Sequence, residues 1–139
     1  VIVLDTNILS ELIRAIPEPR VVAWLEAQTM DVLFTTAVSR GEMLYGVCIL
    51  PAGRHRDALL HEVEAIFSTD MAGRVLPYDS AAAEVHATLA AMRRAQGRPI
   101  SQSDAMIASI ARSRGAMLAT RNVRDFEDCG VTVIDPWHA

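Results

Sequence analysis

The chain contains no lysine; all thirteen of its basic residues are arginines. That absence excludes several phosphate-handling chemistries. A phosphoacceptor receiver domain requires a lysine near its phosphorylated acid. A haloacid-dehalogenase-type phosphotransferase also needs one, together with Asp-x-Asp after its first strand, where this chain carries Asp5-Thr6-Asn7. Cysteine is nearly as scarce. Cys48 and Cys129 stand alone, in no metal-ligand spacing, and two such residues make no disulfide scaffold, so a reducing cytoplasm is the expected setting. No apolar run approaches the ~20 residues that span a bilayer. Val1 to Leu4, with no basic region ahead of them, are too few to form a signal peptide. A G-x-G-x-x-G dinucleotide loop, an internal repeat and a low-complexity tail are all missing. Positive charge is not in excess either: the net charge is −4, so bulk electrostatics do not draw the chain to nucleic acid.

What is present suits one globular domain over residues 1–139. Hydrophobic residues make up 51% and charged residues 22%, enough apolar material for a proper core. Val1-Ile2-Val3-Leu4 is a short β-branched run of the kind buried on both faces of a sheet. Further strands are expected at Val32–Thr35, Arg74–Pro77, Ala116–Thr120 and Val131–Ile134. Between them lie helical segments: Ile8–Ile13, Val21–Ala27, Thr36 or Ser39 to about Leu50, Arg54–Phe67, Asp79 or Ser80 to Gln96, and Ser101 or Ser103 to Gly115. Strands alternating with helices predict an α/β fold, a parallel sheet of about five strands covered on both sides.

Three acids stand in unusual company. Asp5 follows the first strand directly, at the sheet edge where parallel α/β folds place their ligands. Glu42 shares a helical face with Val38, Tyr45, Gly46 and Ile49, which predicts an inward-facing carboxylate. Asp104 shares its face with Ile107, Ala108 and Ala111. Buried carboxylates need a cation, a donor cluster or a proton. A shared divalent cation would serve all three, since Mg²⁺ and Mn²⁺ favour oxygen ligands. Ordinary capping is the plainer alternative: Ser39-x-x-Glu42 and Ser101-x-x-Asp104 both match a capping box, and Asp5 could be a simple N-cap.

Taken in order, these residues resemble the PIN-domain family. Val1-Ile2-Val3-Leu4-Asp5-Thr6-Asn7 is similar to the opening block of that family. Thr36 to Gly46 resembles its second block, Ser103-Asp104-Ala105-Met106-Ile107-Ala108 its third, Ala119 to Phe126 its fourth, and Pro136-Trp137 a common tail. The blocks span essentially the whole chain, and the resemblance is strongest to VapC-type toxins of the FitB-like branch. It implies a three-layer α/β/α PIN-like fold and a Mg²⁺- or Mn²⁺-dependent endoribonuclease. It also implies a homodimer restrained by a cognate antitoxin of a type II toxin–antitoxin pair. Carried over residue by residue, it makes Asp5, Glu42 and Asp104 the metal ligands, with Thr6, Asn7 and Thr120 as supporting polar groups. The chain departs from many relatives in having Asn122 in place of a fourth acid, while Asp125 lies three residues further on. Either residue could position the attacking water, and one carboxylate fewer weakens the hold on a second metal.

Among the arginines, Arg121 and Arg124 flank Asn122 and Asp125 in the fourth block, closer to the expected site than the helix-end clusters, and are the phosphate candidates. Arg93, Arg94 and Arg98 cluster at a helix end, where they could track an RNA backbone but are more simply read as cations complementing the helix dipole. The scattered histidines have no ligand spacing. Two further readings remain: a catalytically degenerate PIN fold that binds RNA or protein, and a housekeeping RNA-processing nuclease.

Overall fold

The central strand is only three residues long. In the computed structural model, which describes residues 1–139, β1 (Ile2–Leu4) is buried at every position. Its side chains alternate between two cores: Ile2 and Leu4 join one apolar cluster and Val3 the other. That is why the run is apolar without a polar gap, as a strand covered on both faces must be. Flanking it are β2 (Leu33–Thr36) and β4 (Met117–Ala119), with β3 (Val75–Leu76) and β5 (Val133–Ile134) at the edges. The order is β3-β2-β1-β4-β5, and all four pairings are parallel.

Helices α1 (Thr6–Leu12), α2 (Pro19–Glu26), α3 (Ala37–Cys48) and α4 (Arg54–Ala65) supply the core on one side of the sheet, through Ile8, Val21, Val47 and Val63 among others. On the other side, α5 (Ser80–Ala95) and α6 (Gln102–Ser113) pack Leu89, Ile107 and Ile110 beneath Val3 and Leu118. The three-layer α/β/α expectation therefore holds. No helix is long and apolar enough to cross a membrane.

One boundary differs from the sequence reading, and of the two starts expected for α3 the first, Thr36, is the one observed. The helix expected over Arg54–Phe67 ends as α-helix at Ala65 and continues as a π-helical turn, Ile66–Asp70. Met71 N–H donates to Ile66 O at 2.7 Å, an i→i+5 bond, and Ile66, Phe67 and Met71 all reach the core. The N-cap of α3 is Thr36, whose hydroxyl accepts from Ser39 N–H at 3.1 Å. Ser39 is thus inside the helix, and the Ser39–Glu42 capping box does not form.

Arg93 also differs. At the end of α5 it is only 5% exposed, so it is not a solvated cation serving the helix dipole. Its Nε donates to Arg98 O (2.8 Å), and one terminal nitrogen donates to Asp125 O (2.9 Å) and Glu127 O (3.0 Å), with Cys129 Sγ at 3.4 Å. No carboxylate pairs with it. Three main-chain carbonyls carry the compensation for burying this charge, and in doing so they tie the segment after β4 to α5.

Arg93→Met should leave those carbonyls without a donor and lower unfolding stability by about 3 kcal/mol in urea titration. Arg93→Lys should recover only part of the loss, because an ammonium lacks the planar fork. An unchanged unfolding midpoint for Arg93→Met would show that the latch contributes nothing.

Candidate active site

The strand order places a switch point between β1 and β4, because the chain steps from β1 to β2 on one side and returns to β4 on the other. Such a point opens a crevice beyond the strand ends. Asp5 leaves β1 there, and its N–H extends the ladder to Ala119 O at 2.9 Å. It caps α1, one carboxylate oxygen accepting from Thr6 N–H at 2.7 Å. The other oxygen accepts from the Thr120 hydroxyl at 2.7 Å and faces Asn7 Nδ2 at 3.4 Å. Thr120 is fully buried and uses its whole capacity: it donates to Asp5 and accepts from Asn7 Nδ2 (3.2 Å) and Asn122 N–H (3.1 Å). Asn7 Oδ1 in turn accepts from Arg121 N–H at 3.3 Å.

Glu42 reaches the same cleft from α3, and Asp104 from the first turn of α6. Thr6 Oγ1 lies 2.9 Å from Glu42 Oε1 and 2.8 Å from Ser39 Oγ. Its single proton is best given to the carboxylate, which leaves the Ser39 hydroxyl to donate to Thr6. The inward-facing expectation for Glu42 is corrected here: the residue is exposed, and so are its neighbours Tyr45 (67%) and Ile49 (64%). Their face of α3 is apolar but is not covered by this chain. Asp104 N–H donates to Ser101 Oγ at 3.2 Å, so one half of the anticipated capping box is made.

Burial dominates the electrostatics. Asp5 is 4% exposed, and loss of water raises its pKa despite the opposing hydrogen bonds from Thr120 and Thr6; the charges of Glu42 and Asp125 push the same way. Burial likewise raises Asp104, opposed by Ser101, with Asp5 and Asp125 adding to the rise and the Arg93 charge reducing it. None of the ion pairs in the structure involves Asp5, Glu42 or Asp104. Acids crowded together without a cationic partner are an incomplete arrangement.

The cleft has a volume of about 470 Å³. Asn122 and Arg121 line it; Asp125 and Arg124 do not. Asp125 sits on the 3₁₀ turn Val123–Phe126, exposed, and acts on Asp5 and Asp104 only through its charge. Four lining residues were not singled out from the sequence as part of a site: Ser10, Glu11, Arg14 and Trp137. The i,i+3 offset from Glu11, in the last turn of α1, to Arg14, just beyond its end, is the one signal that could have linked those two.

The donor set suits a hard divalent cation, being oxygen throughout and anionic at Asp5, Glu42 and Asp104. No three acids, histidines or cysteines converge tightly enough to enclose a bare ion. Mg²⁺ rarely asks for that: it keeps several waters and takes one or two carboxylates directly. The residues therefore fit a hydrated ion held by a subset of the three acids.

Residues 2–130 match the family model of the PIN domain. The chain is 39% identical to the VapC ribonuclease Y4jK of Sinorhizobium fredii, over 98% of this chain and 97% of that protein. It is 34% identical to toxin FitB of Neisseria gonorrhoeae, over 99% of each. Its structure superposes on the FitAcB crystal structure from Neisseria gonorrhoeae with a TM-score of 0.92, at 33% identity and over 100% of both chains.

A raised folded-state pKa has a definite consequence for stability. The folded protein binds the Asp104 proton more tightly than the unfolded chain does, so stability falls as pH rises from the ordinary carboxylate value through the raised one. Above the raised value the penalty is fully present. Asp104→Asn should therefore raise Tm by a few degrees at pH 7.5 in EDTA and give little gain at pH 4. A lower Tm at both pH values would show that the carboxylate is a net structural asset.

Proposed function

The chain belongs to the PIN-domain family, and from that membership we propose that it is a metal-dependent endoribonuclease, the toxin of a type II toxin–antitoxin pair. One observation carries the reading: Asp5, Glu42 and Asp104 line a single cleft with no basic side chain paired to any of them. Mg²⁺ or Mn²⁺ is the natural complement. Held by these acids, such an ion would supply positive charge against the scissile phosphate and would lower the pKa of the attacking water so that it more readily gives up its proton.

The chain's own residues divide the remaining work. Asp5 is held rigidly by Thr6 N–H and the Thr120 hydroxyl, so it offers a ligand whose direction is fixed before anything binds. Glu42, on the solvent side, is steadied by Thr6 alone. Asp104 stands in the first turn of α6, where the helix dipole favours its charge. Asn122, uncharged and lining the cleft, is suited to orienting a water through its amide. With Asn at this position the cleft holds one anion fewer, which favours one firmly bound ion over two. Asp125, outside the cleft, contributes long-range negative charge.

Two partners follow from the reading. A cognate antitoxin would restrain the nuclease, in keeping with relatives known as FitB and VapC. A second copy of the chain would cover the exposed Tyr45 and Ile49 on α3, giving a homodimer. Residues 1–139 would act as one PIN domain in the cytoplasm. Asn122 also lends some support to a degenerate RNA- or protein-binding module, which would need no metal.

Purified protein free of antitoxin should cleave RNA in Mg²⁺ or Mn²⁺ and not in EDTA. Asp5→Asn and Asp104→Asn should each lower kcat by roughly 10²-fold or more, the scale of removing one electrostatic group from a preorganised site. Full activity in Asp104→Asn would contradict the assignment, and absence of cleavage with every metal would favour the binding module.

A further inference from the structure

A nuclease cleft must attract a polyanion, yet this cleft is lined by four acids: Asp5, Glu11, Glu42 and Asp104. Its basic residues are two, Arg14 and Arg121. With a net charge of −4, the protein offers no broad positive field to offset the repulsion. Whatever holds the substrate backbone beyond the metal must come largely from these two side chains.

Both are set in place before any ligand arrives. One terminal nitrogen of Arg14 donates to both oxygens of Glu11, at 3.1 and 2.9 Å. The Glu11 carboxylate is 3% exposed and also accepts from Glu18 N–H at 3.2 Å, so it is a rigid anchor and not a mobile surface partner. The Arg14 side chain itself is 62% exposed, and none of its other guanidinium nitrogens makes a hydrogen bond. Arg121 is held differently. Its guanidinium lies over the ring of Trp137, 5.1 Å from the centroid, and Trp137 is buried. Its backbone N–H is fixed by Asn7 Oδ1, and its guanidinium forms no hydrogen bond or ion pair within the chain.

A plain reading makes Arg14 an i,i+3 partner for a buried acid and Arg121 a lid on a tryptophan. That accounts for their anchors. It does not account for two sets of unused donors facing an acidic cleft. An immobilised guanidinium loses little entropy on binding and presents a fork that matches phosphate oxygens.

We propose that Arg14 and Arg121 form a two-point phosphate site that takes the phosphates adjoining the scissile one on an RNA strand. The proposal rests on the nuclease reading and deepens it: the acids act on one phosphodiester while the arginines hold its neighbours. Since these contacts are made equally before and during the reaction, their loss should raise KM and leave kcat nearly unchanged.

The test is the salt dependence of binding, measured by fluorescence anisotropy with a single-stranded RNA oligonucleotide across 50–200 mM KCl, with Ca²⁺ in place of Mg²⁺ to suppress cleavage. Each phosphate contact contributes about 0.7 to the slope of log K against log salt for a single strand. Arg14→Gln and Arg121→Gln should each lower the slope by about 0.7, and the double variant by about 1.4. Arg14→Lys, which keeps the charge, should retain the wild-type slope. Arg121→Gln guards against misfolding as the cause, because that guanidinium makes no hydrogen bond in the fold. Wild-type slopes in both Gln variants of a protein that still cleaves RNA would overturn the phosphate site alone. A wild-type protein that neither binds nor cleaves RNA would overturn the nuclease reading and the site with it.

Discussion

A carboxylate largely withdrawn from solvent is held at the end of the central strand by two short hydrogen bonds of very different origin. One comes from a backbone N–H of the helix that Asp5 itself caps, and the other from the hydroxyl of Thr120, from the neighbouring strand. Those two bonds join β1, α1 and β4 at the point where the strand order switches. Through Thr120 they also position Asn122, and through Asn7 they fix the backbone of Arg121. Hydrogen bonding stops short of cancelling the loss of solvation, since the Asp5 pKa remains raised. The cleft is therefore built around an uncompensated charge, a cost that a folded protein tolerates where a ligand removes it.

The distribution of positive charge gives the same impression from the other side. Arg93 is buried close enough to Asp104 to lower its proton affinity, yet its donors are taken by main-chain carbonyls and not by the acid. Arg98 is directed to Glu127 and Asp128 on the surface. Arg14 is given to Glu11, and Arg121 to an aromatic face. Each nearby cation has a partner other than the three acids, so those acids stay available for an exogenous one. This partition separates the functions: structural arginines secure the walls, and the floor keeps its negative potential.

Much of this was legible in the residues. The uninterrupted apolar run before Asp5 marks a central strand, because only a strand covered on both faces can afford it. Asp104 is legible because Ile107, Ala108 and Ala111 leave no doubt about which face of α6 is buried. Glu42 was misjudged in its surroundings: periodicity tells which residues share a face, and not whether anything in the same chain covers it. Arg93 was misread because its partners are carbonyls, two of the three more than thirty residues downstream, and a carbonyl leaves no mark in a sequence. Glu11 was missed for a similar reason, one of its partners being the backbone N–H of Glu18. The π-helical turn at Ile66–Asp70 was hidden because Val63, Ile66, Phe67 and Met71 also fit a 3.6-residue stripe, so their spacing does not distinguish it from further α-helix. Local capping and burial patterns are written in side chains, whereas long-range main-chain contacts are settled only by the fold.

The central claim, that the three acids form one site completed by a divalent cation, is tested most directly by Mn²⁺ binding followed by electron paramagnetic resonance. Wild-type protein should take up Mn²⁺ in competition with Mg²⁺, and folded Asp5→Asn protein should lose that binding. Equal Mn²⁺ uptake by wild type and Asp5→Asn, or none by either, would contradict the account.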